Sequence, residues 1–110
     1  MTNQVKDHQL TIKKNGDEWK VVSSDDPTKT KVKAKKKEKI TWRAEGSDVY
    51  FEFMTEGLFG KYKDKLKDGK RLTLMITEDA DLGIHRYSVF CLADLEFAKG
   101  DSPPEIDLID

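Results

Sequence analysis

Between Gly83 and Cys91 the chain reads Gly-Ile-His-Arg-Tyr-Ser-Val-Phe-Cys, with His85, Tyr87, Val89 and Cys91 on one parity and Ile84, Arg86, Ser88 and Phe90 on the other. A strand sends successive side chains to opposite faces, so this nine-residue run reads as one long strand. The same period of two recurs along the chain. Gln9 to Lys14 alternates Leu10 and Ile12 with polar neighbours, Asn15-Gly16 is a strong hairpin signal, and Glu18 to Val22 returns as a second strand. Ile40 to Ala44, Val49 to Phe53 and Leu72 to Thr77 alternate in the same way, and Glu105 to Ile109 supplies a closing aliphatic strand.

Turn residues separate these runs. Ser23 to Pro27 and Glu45 to Asp48 read as loops, and the residue before a proline is pushed away from helical geometry. Only residues 55 to 70 lose the alternation. There Leu58 or Phe59, Tyr62 and Leu66 recur at three to four, which predicts a short helix within 56–67, or a compact lid, ending at Asp68-Gly69. Seven to eight short strands, with no pattern of strands alternating with crossover helices, predict an all-β fold: an antiparallel β-sandwich.

At 110 residues the chain is expected to form a single domain, 1–110, large enough to fold around its own core without metal or disulfide staples. Charged residues make up 37% and apolar ones 36%, so the apolar groups must be concentrated on inward faces to offset chain entropy. Ile40, Trp42, Val49, Phe51 and Phe53 are the predicted heart of that core, each contributing about 1.5–3 kcal/mol if fully buried. No apolar stretch is long enough to cross a bilayer as a helix, so no membrane role is expected and a cytoplasmic location is the default. With one cysteine, the chain alone builds neither an intrachain disulfide nor a paired-thiol motif.

Lysine occupies positions 29, 31, 33, 35, 36, 37 and 39, with Val32 and Ala34 on the opposite parity in the first half of the run. Lys29, Lys31, Lys33 and Lys35 therefore line one wet face of a predicted strand over Thr28 to Lys39 and form the candidate partner surface. Lysine on an edge strand also blocks unwanted pairing, and that structural role suffices to account for the pattern. Nucleic acid is disfavoured as the partner, because no aromatic residue interleaves with the lysines to stack on bases. The net charge of −1 also hides a division: residues 1–71 carry 18 basic and 12 acidic groups, for +6, and residues 72–110 carry 2 and 9, for −7. Glu78-Asp79-Ala80-Asp81 lacks the glycine and distal glutamate of a calcium loop and reads as an acidic turn.

A glycine-led strand ending Tyr-x-Val-Phe-Cys, preceded by Lys39-Ile40-Thr41-Trp42 and followed by a final aliphatic strand, resembles the cupredoxins, the plastocyanin and azurin type of Greek-key sandwich. Lys37 stands where that family usually has a glycine. The resemblance covers roughly residues 28 to 110 and is compatible with the first hairpin. It implies a copper set of one histidine after the early strand, the cysteine, a second histidine a few residues on and often a methionine, a donor set suited to rapid one-electron transfer. Here those places fall near Val49 or Tyr50, at Cys91, near Asp94 and near Phe97 or Ala98, and only the cysteine matches. Cys91 and His85 remain as candidate metal residues of an unusual set, with Met54 or Met75 as a third member. His85 lies about 20 Å from Cys91 along an extended strand, which argues against that set.

No nucleophile elbow, phosphate-cradling glycine loop or histidine near a plausible nucleophile is present, so no catalytic residue and no cofactor are expected. The expected function is a non-catalytic, cupredoxin-like binding or assembly module without a type 1 copper site. Its partner is a protein or small molecule, with homodimerisation through a strand edge as a further route. If it binds, the loops Gly46 to Tyr50 and Ala93 to Gly100 and the strand from Lys29 to Lys39 are the places to look. The alternative is a copper-binding or electron-transfer protein built around Cys91.

Overall fold

The alternating runs form ten short strands in two sheets. A computed structural model describes residues 6–26, 28–99 and 104–110; Pro27 and Gly100, which the sequence assigns to loops, lie outside the described residues. The strands are β1 (Asp7–Asn15), β2 (Glu18–Ser23), β3 (Val32–Ala34), β4 (Lys39–Ala44), β5 (Val49–Phe53), β6 (Lys63–Leu66), β7 (Arg71–Met75), β8 (Gly83–Cys91), β9 (Glu96–Phe97) and β10 (Glu105–Leu108). A single helical turn, α1 (Glu56–Phe59), follows β5.

One sheet runs β2-β1-β4-β7 and the other β3-β10-β8-β5-β6, with β9 beside β8 on the same edge as β10. The chain crosses between sheets repeatedly, giving the predicted all-β Greek-key sandwich. Its pairing is mixed and not wholly antiparallel: β1 lies parallel to β4, and β3 parallel to β10. Each parallel pair joins strands distant in sequence, which no hairpin constrains to run in opposite directions.

Ile40, Trp42, Val49, Phe51 and Phe53 are all buried, as their alternation predicts. Trp42 is the hub of the core, its ring 5.0 Å from Phe51, 5.6 Å from Tyr87 and 5.7 Å from Phe59. Tilted and edge-on contacts at these distances suit aromatic quadrupoles and add to the area term.

Two segments differ from expectation. The short helix expected within 56–67 is present but spans only Glu56–Phe59: Gly60, at φ 79°, ends it in the left-handed region, and its N–H caps Glu56 O. The chain then pairs as β6 antiparallel to β5, with Leu66 opposite Val49. In the lysine-rich run Val32–Ala34 is strand and Lys39 begins β4; the residues between and before them are not strand. Lys35 to Glu38 turns the chain toward the other sheet, with Lys37 at φ 70° and Glu38 N–H bonded to Lys35 O. Among the described residues no helix is long and apolar enough to cross a membrane.

Candidate functional site

Cys91 ends β8 at one end of the sandwich, directly opposite Val49 of β5. Its parity mates Tyr87 and Val89 are buried with it, and the thiol residue itself is 0% exposed. Burial, reinforced by the carboxylates of Asp94 and Glu96, pushes the thiol up to about 12. The chain beyond Cys91 is stitched to the loop before β5: Leu92 N–H donates to Asp48 O at 3.0 Å, and Ala93 N–H to Ser47 Oγ at 2.9 Å. The two loops singled out from the sequence, around Gly46–Tyr50 and after Ala93, therefore meet.

Asp94 anchors this end to the first hairpin. Its Oδ2 accepts from Lys14 Nζ at 2.8 Å and from Trp19 Nε1 at 2.7 Å, and these bonds hold the carboxyl below the usual carboxylate range. Trp19 in turn lies over Gly46, where an added Cβ would come within 3.3 Å of the indole ring.

On the outer face of β5, β8 and β9, Tyr50 is opposite Phe90 and Phe90 is opposite Phe97. Tyr50 and Phe97 are 50% and 61% exposed, and with Glu52, Lys63 and Ser88 they border a groove of about 400 Å³. Sequence reading placed Val49, Phe51 and Phe53 inward and so left Tyr50 and Phe90 outward, but their alignment depends on inter-strand register, which parity alone does not give.

The lysine-rich strand lies at the other edge of this sheet. β3 is the terminal strand, and Lys29, Lys31, Lys33 and Lys35 are all exposed. A groove of about 460 Å³ opens between the start of β1 and this strand, with Leu10 and Val32 among its lining and Lys6, Lys29, Lys31 and Lys33 around it. Asp7 and Asp25 are its acidic members. Among the described residues, none of these four lysines is in an ion pair. At the end of the edge, Glu38 Oε1 accepts from Lys35 N–H at 2.8 Å and from His8 Nε2 at 2.9 Å. Burial opposes ionisation of Glu38, yet these bonds outweigh it and lower its pKa. Lys6 and the His8–Glu38 pair were not legible in the sequence, because they depend on β1 running parallel beside β4.

Solved structures share this arrangement. A methionine-to-alanine variant of amicyanin in its Cu(I) form superposes with a TM-score of 0.52 at 11% identity, covering 99% of this chain and 86% of that one. A tryptophan-to-tyrosine variant of reduced amicyanin gives 0.52 at 10% identity with the same coverage. Fet3p, a multicopper oxidase that functions in iron import, gives 0.53 at 12% identity over 97% of this chain and 23% of that one. The fold is cupredoxin-like. No family model and no curated protein matches the sequence.

In the cupredoxin-like frame, the position facing Cys91 is Val49, and Asp94 spends its carboxylate on Trp19 and Lys14. Neither supplies an imidazole. Val49, Tyr50 and Asp94 thus stand where the resemblance implies histidines. The candidates for an unusual set are also dispersed. His85 lies toward the opposite end of β8, pairing with Ile106, and its Nε2 bonds Asp81 O at 2.6 Å. Met54 follows β5 at that same far end, where its N–H reaches Arg86 O, while Met75 belongs to the other sheet. Both methionines are exposed.

Proposed function

We propose that this cupredoxin-like domain is a non-catalytic binding module that works without type 1 copper and meets its partner through the lysine-bordered groove beside β3. The observation that carries this reading is the set of Lys6, Lys29, Lys31 and Lys33 around one groove, none in an ion pair among the described residues. Like charges gathered around one groove repel one another, so an acidic partner relieves them and is steered toward them. The opposite pole of the sandwich, around Cys91, is tied together by the bonds of Leu92 and Ala93 to Asp48 and Ser47 and by Asp94.

A copper-handling role has one observation in its favour: among the described residues His85 Nδ1 is buried without a hydrogen-bond partner. The ring is six residues from Cys91 along the same strand, about 20 Å away, too far for both to ligate one ion. A copper titration followed by absorbance tests the choice. The proposal expects no intense thiolate-to-copper band; a stoichiometric band that disappears in Cys91→Ala overturns it. Charge reversal at Lys31 and Lys33 tests the surface, with loss of acidic-partner binding expected and unchanged binding removing the groove from consideration.

A further inference from the structure

We infer that the partner at this groove is an extended, carboxylate-bearing segment that adds to the sheet as a new strand beside β3; the inference rests on the binding reading above. Among the described residues β3 has a single neighbour, β10, in parallel register, with Val32 opposite Ile106, Lys33 opposite Asp107 and Ala34 opposite Leu108. Ala34 O accepts from Ile109 N–H at 2.8 Å, so Ala34 turns its main-chain groups to β10. In a parallel ladder alternate residues bond to the same neighbour, so Val32 does likewise and Lys33 presents its N–H and C=O to the outer edge. An outer edge of this kind is a template for another strand.

The chemistry of the added strand is specified by what β3 already pairs with. β10 reads Glu-Ile-Asp-Leu, with Glu105 and Asp107 on one parity, and it places an acidic residue opposite Lys33. Lys31, Lys33 and Lys35 repeat every second residue, about 7 Å apart, the spacing at which an alternating acidic strand carries its own side chains. The edge also holds a carboxylate within its own chain: Glu38 accepts from the Lys35 N–H, one outward-facing position beyond Lys33. An anionic, hydrogen-bonding group is therefore already accommodated at the end of the track. The groove lining contains no Phe, Tyr or Trp on which a nucleobase would stack, and its one imidazole, His8, is bonded to Glu38. A second copy is disfavoured as donor of the strand, because its Glu105–Leu108 segment is already held between β3 and β8 of its own sheet.

A fluorescent eight-residue peptide alternating glutamate with isoleucine, read by anisotropy and by amide shifts of the isotope-labelled protein, tests this. The expected result is binding with the largest shifts at residues 31–35, weakened at least tenfold when the same residues are rearranged into a glutamate block and an isoleucine block. N-methylation at alternate peptide nitrogens on the pairing edge should weaken it similarly, as should Lys31→Gln with Lys33→Gln, which leaves the strand polar and foldable. Equal binding of the blocked peptide, still lost in the glutamine variant, overturns strand addition and leaves the lysine-groove reading standing. Tighter binding of a single-stranded oligonucleotide, or a concentration-dependent dimer that the peptide fails to dissociate, overturns it in favour of those occupants. No peptide binding, with no effect of the lysine substitutions on any anion tested, overturns both.

Discussion

The indole Nε1 of Trp42 donates to the phenolic oxygen of Tyr87 at 3.1 Å, joining β4 of one sheet to β8 of the other through the middle of the core. Both residues are essentially solvent-free, and burial holds the Tyr87 hydroxyl above its ordinary range. Tyr87→Phe keeps the edge-on ring contact but leaves the indole N–H buried without an acceptor. A cost of about 1–3 kcal/mol is expected, the penalty of an orphaned donor. Urea unfolding should show a lower midpoint at unchanged slope; a midpoint equal to wild type would mean the bond is not formed in solution.

Cys91 should be chemically silent. Its thiol is buried and raised to about 12, so a thiol-specific reagent at pH 8 should modify it only as fast as the protein opens, and quickly in denaturant. A neutral group favoured by folding contributes stability that is fully present below its unfolded pKa, near 9, and is lost as pH rises toward about 12. Wild type should therefore lose stability over that window more steeply than Cys91→Ala. Rapid stoichiometric labelling of the native protein would contradict the burial.

Parity was enough to place the core, because Trp42, Phe51, Tyr87 and Cys91 each sit on the inward side of a clean alternation. It also showed the lysine face, since Lys31 and Lys33 alternate with buried Val32 and Ala34. β6 was missed for an instructive reason. Leu58, Tyr62 and Leu66 mimic a helical period, yet Lys61, Lys63, Lys65 and Lys67 alternate at two, and Gly60 is a helix stop. The competition was settled by pairing with β5, a tertiary preference that local spacing does not contain. The groove beside β3 was beyond sequence reasoning in a different way: it needs Lys6, just before β1 of one sheet, and Lys31, just before β3 of the other, to approach one another.

The turn between β3 and β4 carries avoidable strain. Lys37 adopts φ 70°, a region that costs an ordinary residue about 1–2 kcal/mol, at the position where cupredoxins usually have glycine. Lys37→Gly removes that strain, sacrifices a solvent-screened ion pair to Glu78, and adds unfolded-chain entropy of about 0.5–1 kcal/mol. The terms leave a net change of about 1 kcal/mol or less, and salt separates them. High salt screens the ion pair, which only the wild type has, so the glycine variant should gain stability relative to wild type as salt rises; a constant difference would show that the pair contributes nothing.

Asp94 should act as the clasp between the first hairpin and the Cys91 end. Bonds from Lys14 and Trp19 hold its pKa below the usual range, so the stability it contributes is present above its ordinary value, near 3.8, and is lost as pH falls through the lower folded value. Of the two indole N–H resonances, the Trp19 signal should move in that acid window while the Trp42 signal, bonded to Tyr87, stays fixed until the protein unfolds. Asp94→Ala should displace the Trp19 resonance at every pH and abolish its acid titration. A Trp19 signal indifferent to both pH and the substitution would show that the hairpin is held to this end by the backbone bonds of Trp19 and Val21 to Lys99 alone.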